Sequence, residues 1–252
     1  MKVFLPDGSD LVVPEGATVL TVAQTIGSRL AKAAVAGKIG EQTVDLGTPV
    51  KDGDSVSIIT AASPEGLDVI RHSAAHVLAE AAVKLYPGTK VAIGPAIKDG
   101  FYYDFEFPQP VGEDDLAKIV TEMNRLIGTH ESFARREVSR DEALELFSAE
   151  PYKRELFEAL PDGAVISTYS QGAFTDLCRG PHVPDTEKIG AVALLSVAGA
   201  YWRGDSNNPM LTRIYGTAFP PNSAITASWG ANWGCSASMM KARASPSSIP
   251  RE

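Results

Sequence analysis

Histidine is scarce in this chain. There are four, and three of them fall in two motifs with the same internal gap: His72-Ser-Ala-Ala-His76 and Cys178-Arg-Gly-Pro-His182. The first motif lies in a stretch of helical periodicity. Residues four apart share a helix face, so both imidazoles can converge on one point. In the second, Gly180 and Pro181 rule out a helix, so Cys178 and His182 must come from a turn. A neutral imidazole is the natural proton acceptor near pH 7, and imidazole with thiolate is also a zinc-binding combination. Taken singly, the motifs read as ordinary helix histidines and a small buried thiol. Together they mark a candidate catalytic or metal site.

The elements that must position these groups are legible in outline. Two short apolar runs flank Pro6-Asp7-Gly8-Ser9, a hairpin signal. From Thr18, apolar residues Val19, Val22, Ala23, Ile26 and Leu30 recur at helical spacing. Short strands are expected at Val35–Ile39, Glu41–Leu46 and Val56–Thr60, with a turn at Lys51–Asp54. That β-β-α-β-β order is what a β-grasp fold needs. Ala61–Gly66 reads as a linker, and a strong helix follows from Asp68 to Leu85. Beyond it, strands are expected at Lys90–Ile93, Phe101–Phe107, Val165–Ser170 and Ala191–Val197, with helices at Glu113–Ile127, Arg140–Ser148 and Tyr152–Leu160. Pro161-Asp162-Gly163 should end the last of these. The fold class is therefore α+β: a β-grasp domain over residues 1–61, a linker at 62–66, a second α+β domain over 67–220, and an atypical tail at 221–252.

Composition bounds the functions available. The 252 residues are 44% hydrophobic and 21% charged, close to the globular average, so wholesale disorder is excluded. The net charge of −8 excludes a general polyanion binder; nucleic-acid contact would need local basic groups such as Arg135, Arg136, Lys153, Arg203 and Arg213. Two cysteines are too few for a disulfide framework and favour a reducing compartment. The N-terminus lacks the apolar core of a signal peptide. The most apolar stretch, Ile189–Trp202, is too short to span a bilayer. A cytoplasmic protein without membrane contact is expected.

Several segments carry a resemblance. HSAAHVLAEA, GFYYDFE and DLCRGPHVPDTEKIGAVALLSVAGAYWRGDSNNPMLTRIYGTAF resemble the N-terminal half of threonyl-tRNA synthetases, and the opening LPDGS and VPEGATV resemble the TGS domain that begins those enzymes. The resemblance covers about Met1–Phe219. The HxxxH and CxxxH pair is shared more loosely with alanyl-tRNA synthetase editing domains. It implies a TGS-like domain followed by an editing domain that hydrolyses serine wrongly esterified to threonine tRNA. Matching functional positions are His72, His76, Cys178 and His182, with Lys153 and Asp176; Tyr102, Tyr103 and Arg179 match as substrate-binding positions. Such editing makes physical sense, because one methyl supports only about 10–200-fold discrimination by binding. For a metal, the three His and one Cys form an acceptable tetrahedral zinc set. Four protein ligands would close the shell, so zinc is either structural, or has one ligand displaced, or is not used.

No ATP site is expected, since neither an aminoacylation core nor an anticodon-binding domain fits after Phe219. For the same reason no oligomer is expected. Where the resembled family continues with a charged connecting helix, this sequence turns to FPPNSAITASWGANWGC. Codons allowed for residues 241–252, read two nucleotides later, can spell a Gly-rich, His-Pro-containing segment like the start of a synthetase core. The expectation is an out-of-frame, poorly packed tail holding Trp229 and Trp233, with a genuine short tail as the competing reading. Three functions remain open: a hydrolase editing Ser-tRNA of the threonine type, a non-catalytic tRNA-binding module, or an inert fragment of a threonine–tRNA ligase gene.

Overall fold

The computed structural model describes residues 1–161 and 163–221. The expectations for the tail beyond Pro221, including Trp229 and Trp233, and for the turn at Asp162 lie outside the described residues.

The chain opens with a hairpin of β1 (Lys2–Phe4) and β2 (Asp10–Val12), in which Lys2 faces Val12. The Asp7 carboxylate accepts from the Ser9 amide at 3.0 Å, and Gly8 takes a positive φ of 83° that a side chain would resist. Next, α1 (Val19–Ile26) is capped by Thr18, whose hydroxyl accepts from the Thr21 amide while Thr21 accepts in return. Its inward face is Val19, Val22 and Ala23, as the periodicity predicts. After α2 (Ser28–Ala33) comes β3 (Ala34–Ile39), flanked on its two sides by β4 (Gln42–Val44) and β5 (Val56–Thr60), both antiparallel. A parallel bridge from Phe4 to Ser55 joins the hairpin to β5 and completes a β-grasp arrangement around Val3, Val13, Val19, Val22 and Val56.

The second region starts earlier than its sequence suggests. Helix α3 runs from Pro64 to Leu85, so Pro64–Gly66 of the expected linker form its first turn. Ser63 caps it by accepting from the Gly66 amide at 3.1 Å, and Pro64 sits where no amide partner is required. Strands β6 (Lys90–Val91), β7 (Ala96–Ile97) and β8 (Gly100–Glu106) follow, then α4 (Leu116–Ile127), β9 (Ala134–Val138), α5 (Arg140–Leu146), α6 (Pro151–Glu158), β10 (Ile166–Gln171), β11 (Phe174–Leu177), β12 (Ala191–Tyr201) and β13 (Met210–Phe219). The main sheet has the order β12-β13-β8-β6, with β7 also on β8; a second sheet has the order β11-β10-β9.

Helices α3 and α4 pack on the main sheet. Ala74, Ala75, Ala79, Ala81 and Ala82 are wholly buried, so small side chains bring α3 close to its neighbours. Phe101, Tyr103 and Phe105 alternate along β8 onto the same core. Four strands were not anticipated, the two-residue β7 among them. β9 (ARREV) presents four exposed residues to solvent, β11 is too short for a period, and β13 mixes Arg213 and Gly216 into its apolar run.

The two regions share a core. Val35, Ala36 and Ile59 pack with Val69 and Ile70 of α3. Lys188 Nζ donates to the Lys32 carbonyl at 2.7 Å, and Lys38 pairs with Glu65 at 3.6 Å. No described helix is long and apolar enough to cross a membrane.

Candidate functional site

Helix α3 delivers His72 and His76 one turn apart on one face. The segment after β11 delivers Cys178 and His182, which reach that face because β11 ends beside it. One ligating atom from each of the four lies within 4.8 Å of all the others. Cys178 Sγ is 3.4 Å from His72 Nε2 and 3.3 Å from His182 Nε2. His76 and His182 have ring centres 4.2 Å apart.

Local bonds fix the orientation of each group. The Ser73 hydroxyl spends its proton on the Val69 carbonyl at 2.8 Å, so toward His182 Nδ1, at 3.1 Å, it can only accept. His182 therefore carries its proton on Nδ1 and turns the Nε2 lone pair to the cluster. The Val183 amide also donates to Ser73, at 3.0 Å. Phe133 stacks on the His182 ring at 4.9 Å and 8°. Cys178 is held through the Ser167 hydroxyl, which donates to its carbonyl at 2.6 Å, and its sulfur accepts from the Gly180 amide.

Under the cluster lies a charged triad. Lys153 of α6 is 2% exposed and Asp176 of β11 is 1% exposed, so this lysine is held out of solvent. Lys153 Nζ is 2.5 Å from Asp176 Oδ1 and donates to the Tyr103 hydroxyl at 3.0 Å; Tyr103 donates to Asp176 Oδ2 at 2.6 Å. The same Oδ2 is 3.7 Å from His76 Nε2. An ammonium and a phenol thus compensate a carboxylate that has left water.

Burial sets the protonation states. It lowers the pKa of His76 to about 3, and lowers His72 and His182 too, so all three are neutral at pH 7. Burial pushes the Cys178 thiol up to about 12. For Asp176 burial acts upward, but Lys153, His76 and the Tyr103 hydroxyl outweigh it and hold the carboxyl below its usual range.

The donor set fits a metal ion. Tetrahedral zinc with bonds of about 2.0–2.3 Å separates its ligands by roughly 3.3–3.6 Å, and the two sulfur–nitrogen distances already match. His76 Nδ1 is buried without a hydrogen-bond partner among the described residues, while its Nε2 faces a carboxylate. His182 bonds Ser73 through the nitrogen that does not face the cluster. Both are arrangements found behind metal-bound histidines. The four side chains form a set that could hold a metal.

His72 and Cys178 are half-buried where His76 and His182 are buried, and it is His72 that faces open space. It lines a cleft of about 390 Å³ together with Val69, Pro95, Pro181 and Thr43, the last contributed by β4. Of the tyrosine pair, Tyr103 joins the triad. Tyr102 points to the other side of β8, under Arg213 at 3.8 Å from its ring centre. Arg179 is exposed beside the turn. Sequence reasoning did not single out Ser73, Tyr169 or Asp45. Ser73 lies inside the HxxxH motif and could have been noticed; the other two carry no local signal. The five basic residues considered for nucleic-acid contact are all paired with carboxylates: Arg135 with Glu137, Arg136 with Glu142, Lys153 with Asp176, Arg203 with Glu155 and Arg213 with Asp104.

Comparison with known proteins agrees with this layout. Residues 1–60 match the TGS domain, and residues 166–215 match the threonyl and alanyl tRNA synthetase second additional domain. The chain is 51% identical over 225 residues to a threonine–tRNA ligase of Rubrobacter xylanophilus, covering 89% of this chain and 35% of that one. It is 51% identical over 229 residues to the Pelobacter propionicus enzyme, covering 90% and 36%, and 49% identical over 219 residues to that of Staphylococcus aureus, covering 87% and 34%. The chain thus spans about a third of the length of these curated relatives.

Proposed function

From a chain that joins a TGS domain to the second additional domain of threonyl and alanyl tRNA synthetases, as the N-terminal region of the threonyl enzymes does, we propose an editing activity: hydrolysis of serine from mischarged threonine tRNA. The observation that carries this reading is the convergence of His72, His76, Cys178 and His182 beside a cleft that His72 lines, with a buried ammonium behind them.

Ester hydrolysis needs a positioned water, an acceptor for its proton and stabilisation of the oxyanion. His72 is neutral and lines the cleft, so it is placed to accept the proton. Asp176 orients His76, and Lys153 supplies positive potential under the reacting ester in a setting from which water is excluded. Tyr103 ties the ammonium to the carboxylate and keeps both in register. Selection against threonine would come from the cleft wall meeting the extra methyl, the second sieve that binding alone cannot supply. Zinc held by His72, His76, Cys178 and His182 would supply Lewis-acid polarisation of the ester carbonyl, provided one of the four gave up its place. The partner is then a tRNA, and the place of action the cytoplasm, where translation occurs.

The test is release of labelled serine from Ser-tRNA, with Thr-tRNA as control. The wild-type chain should deacylate the seryl ester and spare the threonyl ester, and His72→Ala should slow it by about 100-fold or more, the usual worth of a positioned base. Seryl hydrolysis no faster than in buffer, with folding verified, would leave the binding-module or inert-fragment reading.

A further inference from the structure

We propose that Asp45, in the TGS domain, is a positioning residue for the His72/His76/Cys178/His182 cluster, so that the site is built by both domains. The proposal deepens the hydrolytic reading and rests on it for one of its two readouts.

Asp45 directly follows β4. Its Oδ1 accepts from the backbone amide of His182 at 2.9 Å, across 137 residues of chain. Its Oδ2 accepts from the Tyr169 hydroxyl at 2.6 Å. Both bonds bear on His182. One holds the His182 backbone. The other fixes Tyr169, whose ring meets the His182 ring at 4.5 Å and 65°. Tyr169 is 2% exposed and pairs with Asp176 in the β10–β11 register, so it stands on the same face as the triad.

The turn needs such a support. Gly180 has a φ of 71°, and a Cβ there would lie 1.9 Å from the Tyr169 hydroxyl oxygen. The chain therefore runs hard against the group that Asp45 holds. A carboxylate is a stronger acceptor than a neutral oxygen, and an amide left without one is costly. Two residues before Asp45, Thr43 lines the cleft beside His72 and Pro181. The same short segment thus supplies a wall of the cleft and the anchor of the turn.

Asp45 is not what docks the domains. That joint has its own apolar contacts at Val35, Ala36 and Ile59, its own hydrogen bond from Lys188 to Lys32 and its own ion pair between Lys38 and Glu65. Removing the carboxylate should loosen the turn and leave the joint packed.

The experiment compares Asp45→Ala, Asp45→Asn and Tyr169→Phe in the full chain. Asparagine keeps an oxygen for the His182 amide and offers an N–H that the Tyr169 hydroxyl can accept. Asp45→Ala should lower kcat on Ser-tRNA by about 10–100-fold with KM little changed, as expected when a reacting group is misplaced; Asp45→Asn should recover most of the loss, and Tyr169→Phe should fall between. Independently of turnover, amide hydrogen exchange over 178–183 should speed up by about tenfold or more in Asp45→Ala, while the core of α3 is unchanged. If the wild type hydrolyses no ester but exchange rises locally, the hydrolytic reading fails and the positioning role stands. Unchanged exchange over 178–183 in Asp45→Ala overturns the proposal, as does exchange that rises equally throughout the chain. Should Asp45→Ala fail to fold, the same exchange comparison in Tyr169→Phe, which loses the Asp45 bond, decides between these outcomes.

Discussion

Lys153 shows what a single buried charge demands. Its ammonium is tolerated at 2% exposure because Asp176 and the Tyr103 oxygen replace its water. Lys153→Met should therefore destabilise the fold by about 3–5 kcal/mol, because it strands a buried carboxylate. Adding Asp176→Leu should restore stability and not activity, since nothing charged is then left to compensate. Urea denaturation of the single and double variants checks both. The histidines give a second residue-scale expectation, for the metal-free chain in chelator. His76 takes a proton only near pH 3 when folded but near 6.5 when unfolded, and His72 and His182 shift the same way. Below pH 6.5 the unfolded chain binds more protons, so stability falls as the pH drops toward 3. Asp176, depressed by the fold, adds to the loss below about pH 4. Cys178 has the opposite sign: its thiol is held protonated up to about 12 against 9 unfolded, so stability falls again as the pH rises above 9. The melting temperature should form a plateau between those limits. A melting temperature unchanged from pH 7 to pH 4 would contradict the buried, neutral histidines.

At the scale of elements, the turn from Cys178 to His182 carries more than its length suggests. Gly180 combines a left-handed backbone with contact against Tyr169. Gly180→Ala should cost about 1–3 kcal/mol in strain and should lower turnover further than stability alone accounts for, because the displaced turn carries both Cys178 and His182. Melting curves and seryl-ester hydrolysis on the same preparation check it. How far the elements were legible follows from their physics. Helix α1 announces itself by one-sided apolar spacing that starts at Thr18, whereas α3 is buried nearly all round and its first turn after Ser63 reads as linker. The HxxxH and CxxxH gaps could be read because helix geometry and a Gly-Pro turn act over four residues. Strand β9 could not be read, since its side chains stay in solvent and its place is set by pairing with β10. Strand β13 is central in its sheet, bonded to β12 on one side and β8 on the other. Such a strand loses the alternation that marks a half-exposed one.

For the whole molecule, the joint between the regions is part of one core. Ile59 is 5% exposed and packs with α3 from the TGS side. Ile59→Ala should cost about 2–5 kcal/mol and should shift a single calorimetric transition instead of detaching one domain from the other. Two separated transitions in the wild type would show that the regions fold independently and would weaken the case for a shared site. The pairing of Arg135, Arg136, Lys153, Arg203 and Arg213 with carboxylates bears on the same scale. These cations are already engaged in the free chain and Lys153 is buried, so the phosphates of the proposed tRNA partner would have to compete with carboxylates for the four arginines.

By itself the sequence determined the fold class, the two helical histidines, the turn that presents Cys178 and His182, and the family resemblance. Each of these is written in neighbouring residues, where backbone geometry alone relates spacing to direction. Tertiary structure alone decided that Tyr103, and not Tyr102, joins Lys153 and Asp176, because the two differ only in which face of β8 they take. It also decided which nitrogen of His182 carries the proton, since that depends on where the Ser73 hydroxyl proton goes. It brought Asp45 to His182 across 137 residues. No local pattern can encode such a contact, because it arises only when two separately patterned regions bury their apolar faces against each other.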